Sequence, residues 1–247
     1  MKKVLHYCWF GKNPLPESTQ KYIESWKKYC PEFELKCWDE TNFDIESVQF
    51  TADAYREKKW AFVSDYVRTY ALYHEGGLYL DTDVELVGSL DDLLNYSFLG
   101  FDDDQYVAPG LIAYAAECQM DFYKQVLEKY HSLKFDVNHL FEITCPIIYT
   151  DILEKSGLKR NGAFQCVAGI NVYPMDYFNP LGKDWRCHEY FTKNTRSIHH
   201  FHASWFEETE RQYFLLRRTH GEFFGKVLFC LQHPVKGFKK WLASRNR

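Results

Sequence analysis

Long apolar runs are missing from this 247-residue chain. No stretch approaches the ~18 consecutive apolar residues that a membrane span needs, so none is expected. There is no C-x-x-C pair, no G-x-x-x-x-G-K phosphate cradle, no internal repeat and no low-complexity linker. The first of these absences bears on redox state. The 8 cysteines are even in number, but Cys8, Cys37, Cys145, Cys166 and Cys230 sit inside apolar runs. Reduced, buried thiols of a cytosolic protein are expected, not a disulfide framework. Without the cradle, or a denser cluster of acids, a nucleotidyltransferase or metal-dependent phosphohydrolase is disfavoured. Met1-Lys2-Lys3 leads directly into a strand-like run, so no signal peptide is expected.

Aromatic residues, in contrast, are abundant at 18% of the chain. They fill cores first, and their flat faces also suit sugars and nucleobases. Net charge is −4 but unevenly spread. From Arg211 onward nine Lys/Arg face one acid, Glu222, so that segment carries +8 and residues 1–210 carry −12. Two parts are therefore expected: a main domain over 1–210 and a basic, amphipathic helical segment over 211–247.

Residues 4–10 read as a buried strand. Glu17–Tyr29 reads as a helix, with Tyr22, Ile23, Trp26 and Tyr29 at helical spacing, and 33–38 as a second strand before a capping Asp39. This β-α-β opening belongs to a parallel, nucleotide-binding type of sheet. Trp60–Glu75 predicts a helix stopped by Gly76-Gly77. Leu78-Tyr79-Leu80 then forms a strand with Asp81-Thr82-Asp83 at its end. Ser89 is expected to open a short helix, 96–101 a strand, 119–133 and Cys145–Lys155 helices, and 165–173 one late strand.

In an extended segment Asp81 and Asp83 project to the same side. Two carboxylates that close repel unless hydrated, protonated or bridged by a cation. All-oxygen ligands favour Mg²⁺ or Mn²⁺, with positions left for phosphate oxygens. Asp102 and Asp104 repeat the D-x-D spacing, but in what reads as a surface turn. Ser64, Asp65 and Arg68 share a helical face that ends near the acidic strand. From there Asp can accept from ribose hydroxyls and Arg can reach a phosphate; a solvated surface ion pair is the alternative. In Ile198-His199-His200-Phe201-His202-Ala203-Ser204-Trp205, alternation puts His200 and His202 on one side and His199 with Phe201 on the other. One of these histidines can complete a Mn²⁺ shell.

Three segments together resemble glycosyltransferase family 32. They are Val4-Leu5-His6-Tyr7-Cys8-Trp9-Phe10-Gly11 with Pro14-Leu15-Pro16, the Ser64-Asp65-x-x-Arg68 helix, and Gly76-Gly77-Leu78-Tyr79-Leu80-Asp81-Thr82-Asp83. The likeness is dense over residues 3–90 and returns at 198–205. More distantly, the chain is similar to the glucosyltransferase domain of large clostridial toxins. The resemblance implies a GT-A fold, an α/β architecture with a Rossmann-like, mostly parallel sheet flanked by helices. It implies that Trp9 stacks on the nucleobase, that Ser64, Asp65, Arg68 and Tyr79 line the donor pocket, and that Asp81 touches ribose and sugar. Arg68, Asp81 and Asp83 become the catalytic set. Asp81, Asp83 and His199 become the metal ligands, with His200 and His202 as alternatives for the last. Ser204 and Trp205 close over the diphosphate. Glu85 supports the fold and attacks nothing. Region 100–175 shapes the acceptor site, with Asp102-Asp103-Asp104 and Tyr106 as its candidates.

The expected activity is retaining, Mn²⁺- or Mg²⁺-dependent transfer of a hexose from UDP-galactose or UDP-glucose to a glycan or lipid-linked saccharide. A GDP-mannose-dependent enzyme and a non-catalytic nucleotide-sugar-binding protein are the alternatives. No nucleic acid is implied. In the tail, Phe238, Trp241 and Leu242 fall at i, i+3 and i+4 among Lys236, Lys239, Lys240 and Arg247. A basic helix of this kind lies in the interface of an anionic membrane; packing on the catalytic domain is the other reading. A cytoplasmic protein, peripheral on the inner face of the cell membrane, follows from the first.

Overall fold

Strand β1 (Val4–Cys8) pairs in parallel with β2 (Glu34–Trp38) on one side and with β3 (Gly77–Tyr79) on the other. The first crossover is α1 (Glu17–Tyr29), with Lys27 and Lys28 in its last turn, where cations suit the helix dipole. The second is α2 (Gln49–Arg56) followed by α3 (Trp60–Glu75), which ends at Gly76. These positions come from a computed structural model that describes residues 3–182, 191–202, 206 and 208–234. Beyond β3 come β4 (Val84–Leu86), β5 (Phe98–Gly100) and β6 (Ala113–Ala115), then α4 (Asp121–Ser132) and α5 (Cys145–Lys155). A hairpin of β7 (Gln165–Val167) and β8 (Ile170–Tyr173) leads to α6 (Met175–Phe178), β9 (Ser197–His199), α7 (Glu208–His220) and α8 (Glu222–Gln232).

Seven strands form one sheet in the order β2-β1-β3-β6-β5-β8-β7. Five of them run the same way, and β6 and β7 run against them. The class is α/β with a mostly parallel sheet flanked by helices, as expected. β4 and β9 stand apart as an antiparallel ribbon, with Val84 opposite His199 and Leu86 opposite Ser197.

Both faces of the sheet are covered, so side chains alternate between two cores. Leu78 and Leu80 face the core under α1, with Leu5, Trp26 and Phe98. Tyr79 faces the core under α3, α4 and α5, with Val67, Tyr123 and Tyr149. Trp26 is fully buried and its indole N–H donates to the Val84 carbonyl at 2.8 Å, while the Leu86 amide donates to Ser25 Oγ at 2.9 Å. Helix α1 thus holds the ribbon, and truncating Trp26 to alanine should cost about 3–5 kcal/mol. His6, at the centre of β1, is also fully buried.

Several local expectations are corrected. Residues 165–173 form two strands, because Ala168 and Gly169 both take positive φ (52° and 76°) and reverse the chain. Ser89 opens only a turn, its hydroxyl accepting from the Asp91 amide at 3.1 Å. Asp39 organises a turn by accepting from the Thr41 amide and hydroxyl. Helix α2 is an element that the sequence pattern does not announce. Of the cysteines, Cys8, Cys30 and Cys145 are buried thiols, whereas Cys166 is exposed. Helices α7 and α8 pack as a pair around Phe229, yet α8 leaves Phe223, Phe224, Val227 and Leu231 exposed. No helix among the described residues is long and apolar enough to cross a membrane.

Candidate active site

Ligands of open α/β sheets bind in the crevice beyond the carboxyl ends of the parallel strands. Here β1 ends at Trp9, β3 leads to Asp81 and β5 leads to Asp102. The alternation that sends Leu80 under α1 sends Tyr79 and Asp81 toward α3. Tyr79 Oη donates to Asp81 Oδ1 at 2.8 Å, and Arg68 Nη2 reaches both Asp81 oxygens at 2.8 and 3.2 Å. The same nitrogen lies 3.1 Å from Asp65 Oδ1, and Arg68 Nη1 donates to Cys145 Sγ at 3.0 Å. The Cys145 amide and thiol, at the start of α5, donate in turn to Asp65.

Arg68 is 3% exposed and Asp65 8%, so the Asp–Arg pair is an interior clamp, not a solvated bridge. Burial works against the Arg68 charge, but Asp81 and its neighbours overcome it and hold the guanidinium well above its ordinary pKa. Asp81 moves up: burial dominates, Asp83 adds to it, and Arg68 and Tyr79 offset part. Gly110 makes the tight fit possible, since a Cβ there would sit 2.2 Å from Asp81 Oδ2. Ser64 does not join, because its hydroxyl turns back to the Trp60 carbonyl at 3.2 Å.

Asp81-Thr82-Asp83 is a turn closed by the Val84 amide on the Asp81 carbonyl, not the extended segment expected. The two carboxylates consequently take different partners. Asp83 Oδ1 lies 3.3 Å from His199 Nε2, and Asp83 Oδ2 accepts from the His202 amide at 2.8 Å. Burial opposes the Asp83 charge, yet His199 and that amide outweigh it and hold the carboxyl well below its usual range. His199 rises for the mirror reason, Asp83 outweighing burial, with Asp102 and Asp81 adding.

The register of β4 with β9 singles out His199. The His200 ring instead stacks on Tyr22 at 4.6 Å and sits 2.9 Å from Glu85 Oε2, its amide donating to the Asp83 carbonyl, and His202 bonds the Asp83 carboxylate through its backbone amide. Glu85 is thereby engaged by the His200 imidazole. Trp9 stands at the β1 carboxyl end, half-buried, its indole donating to the Asn13 carbonyl at 2.6 Å. Ser204 and Trp205 lie outside the described residues. Cys145 and Asn179 were missed by sequence reasoning. Asn179 Nδ2 donates to Asp102 Oδ1 at 2.7 Å and to its carbonyl at 2.9 Å. Asp102 is half-buried and anchored, which corrects its placement in a surface turn.

Among the described residues no three His, Cys, Asp or Glu side chains converge as a metal shell. The donor set nonetheless fits a divalent ion. The 3.3 Å between Asp83 Oδ1 and His199 Nε2 is close to the roughly 3 Å between adjacent ligands of an octahedral ion. His199 Nδ1 is buried without a partner among the described residues.

Residues 16–99 match the family described as "Glycosyltransferase sugar-binding region containing DXD motif", a span that holds α1, α3 and both acids. No curated protein matches the chain. Among solved structures it is similar to "PaToxG Glycosyltransferase", with 16% identity over 62% of this chain and 69% of that one, at a TM-score of 0.49. It is also similar to a glycosyltransferase involved in the glycosylation of the major capsid of PBCV-1, with 14% identity over 84% of this chain and 97% of that one, at a TM-score of 0.43. With its D-x-D seated between a buried arginine clamp and a histidine, the matched span carries the DXD-containing sugar-binding region of glycosyltransferases, which marks the chain as a transferase.

Proposed function

We propose that the chain moves a hexose from a UDP-sugar, UDP-galactose or UDP-glucose, to a saccharide or lipid-linked saccharide hydroxyl, with retention at the anomeric carbon. The observation that carries this reading is the arrangement of two acids with distinct partners at the end of β3, Asp81 on Arg68 and Asp83 on His199. Asp83 and His199, with Asp81 beside them, are the residues that would hold Mn²⁺ or Mg²⁺. When bound, the ion supplies positive charge to the departing diphosphate. Arg68 favours the charged form of Asp81 against its burial and aims it at the ribose and sugar, and Tyr79 fixes the same carboxylate. Trp9 offers its ring to the uracil, and Ser204 with Trp205 closes over the diphosphate. Residues 1–210 act as the catalytic domain and 211–247 as an appended basic segment.

A thermal-shift panel of UDP-galactose, UDP-glucose and GDP-mannose, each with Mn²⁺ or Mg²⁺, tests this. A UDP-sugar at about 100 times its dissociation constant should add about 2.7 kcal/mol, and slow UDP release should appear without acceptor. Preference for GDP-mannose would replace the donor assignment, and binding without any turnover would leave a sugar-binding protein.

A second observation favours an anionic membrane as partner and a cytoplasmic, peripheral location. Phe223, Phe224, Val227 and Leu231 are exposed on one short helix, in a segment carrying +8. Each basic residue near such a surface adds about 1 kcal/mol, screened by salt. The tail residues Lys236, Phe238, Lys239, Lys240, Trp241, Leu242 and Arg247 lie outside the described residues; among the described ones α8 supplies the apolar face. Co-sedimentation with phosphatidylglycerol vesicles should fall with salt and with Phe223→Ser/Leu231→Ser. Equal, negligible binding by both forms would refute it.

A further inference from the structure

Three acids in a row, Asp102, Asp103 and Asp104, follow β5, and the structure gives them different fates. Asp103 Oδ1 accepts from the Gln105 and Tyr106 amides and so shapes its own turn. Asp104 is exposed. Asp102 is built in. Its amide donates to the Tyr106 carbonyl at 2.8 Å, and the fully buried Asn179 holds both its carbonyl and its Oδ1. Asn179 can stand there because Gly100 has no side chain: a Cβ on Gly100 would meet the Phe178 ring at 2.5 Å.

The same short segment ties Asp102 to the Asp83 side of the site. The Phe178 carbonyl accepts from Ser197 Oγ at 3.0 Å, and Ser197 is two residues before His199 on β9, hence on the same side of the strand. From the other direction, the loop after Asp102 runs back to Asp81. The Ala108 amide donates to the Gly100 carbonyl at 3.0 Å, and the Asp81 amide donates to the Gly110 carbonyl at 3.0 Å. The charge of Asp102 is felt at His199, alongside those of Asp83 and Asp81. Asp102 thus borders the crevice from the β5–β8 half of the sheet, across from the half formed by β1 and β3.

We infer that Asp102 is the residue that positions the attacking hydroxyl, accepting a hydrogen bond from a saccharide OH in transfer and from water in donor hydrolysis. The inference rests on the transferase reading and assigns this one carboxylate within it. In the step, the bond from the anomeric carbon to the diphosphate oxygen breaks and its electron pair leaves with the nucleoside diphosphate. The acceptor oxygen bonds to that carbon on the same face, and its proton passes to the departing diphosphate oxygen. Asp102 takes no proton in this scheme; it aims the oxygen.

The test separates binding from turnover. With UDP-glucose or UDP-galactose and Mn²⁺, Asp102→Asn should keep the donor dissociation constant within about twofold and lower the hydrolysis kcat at least about tenfold. Asp102→Ser, which shortens the group, should do the same, and Glu128→Gln, on the exposed side of α4, should change neither. Unfolding curves check that each variant is folded. Unchanged kcat in both Asp102 variants would overturn the inference while leaving the transferase reading intact. Loss of donor binding in step with kcat would move Asp102 into the donor site and also overturn it. A wild-type chain that neither binds nor hydrolyses any nucleotide sugar would refute the transferase reading and the inference together.

Discussion

Asp81 and Asp83 are two residues apart, yet they belong to regions built in different ways. Asp81 lies against the main sheet, where Arg68, Tyr79, Asp65 and Cys145 interlock in the interior. Asp83 opens a two-stranded ribbon, where its partners are an imidazole and one amide. The first region is a fixed charge pair whose members cannot be separated without exposing another buried charge. In the second, the carboxylate is paired with a neutral-or-charged ligand type that a cation can share. One motif therefore combines a structural acid with an exchangeable one.

The largest difference should appear in stability. Arg68→Met leaves Asp65 and Asp81 without their cation and should cost about 3–5 kcal/mol in urea unfolding. His199→Gln should cost about 1 kcal/mol, since it removes a single partner from a site that keeps the His202 amide. Equal costs would erase the distinction between the two regions. Next comes catalysis: Asp83→Asn should leave the fold intact, at an unfolding cost of about 1 kcal/mol like that of His199→Gln, and lower Mn²⁺-dependent turnover at least about a hundredfold, roughly 2.7 kcal/mol. Turnover that survives would transfer the metal-holding role to Asp81.

The smallest effect is one of pH, and it belongs to the main sheet. His6 Nε2 lies 2.9 Å from the Gly76 carbonyl and its Nδ1 accepts from the Trp38 indole at 3.1 Å, so the ring is held neutral with both nitrogens occupied. Burial lowers its pKa below the ordinary 6.5. A lowered histidine contributes stability that is fully present above about pH 6.5 and is lost as pH falls toward the folded value. The wild type should lose up to about 1.4 kcal/mol per pH unit there. His6→Gln, which keeps a donor and an acceptor, should flatten that limb. An unchanged slope would place the acid-sensitive group elsewhere.

Much of this was legible from the sequence where the signal is local. Helices α1, α3 and α5 begin and end where apolar spacing and Gly or Pro punctuation put them. Asp65, Arg68, Tyr79 and Asp81 are close in sequence, and the strand alternation that joins them is a local rule. What escaped depends on distant partners or on unusual backbone. Ala168 at φ 52° hides a hairpin, because alanine gives no turn signal. The three-residue strands β4 and β6 are too short for a period to show. A run of three aspartates reads as a solvated turn until Asn179, 77 residues away, is seen to hold Asp102. The only trace of that contact is a polar residue in Tyr177-Phe178-Asn179-Pro180. Cys145 likewise reads as an apolar helix residue until α5 docks its first turn on Asp65.

The ribbon of β4 and β9 also sets an order of assembly. All seven strands of the main sheet lie within residues 4–173, so their pairings become available while the chain is still being synthesised toward its C-terminus. β4 is different: it is made early, clamped by Trp26 and Ser25, and left without its strand partner until Ser197–His199 has emerged. Closing that long loop adds a modest entropic term for length but makes the pairing a late event. The donor side of the crevice can therefore be shaped before the Asp83–His199 pair exists, and the two acids have their partners only once β9 has paired.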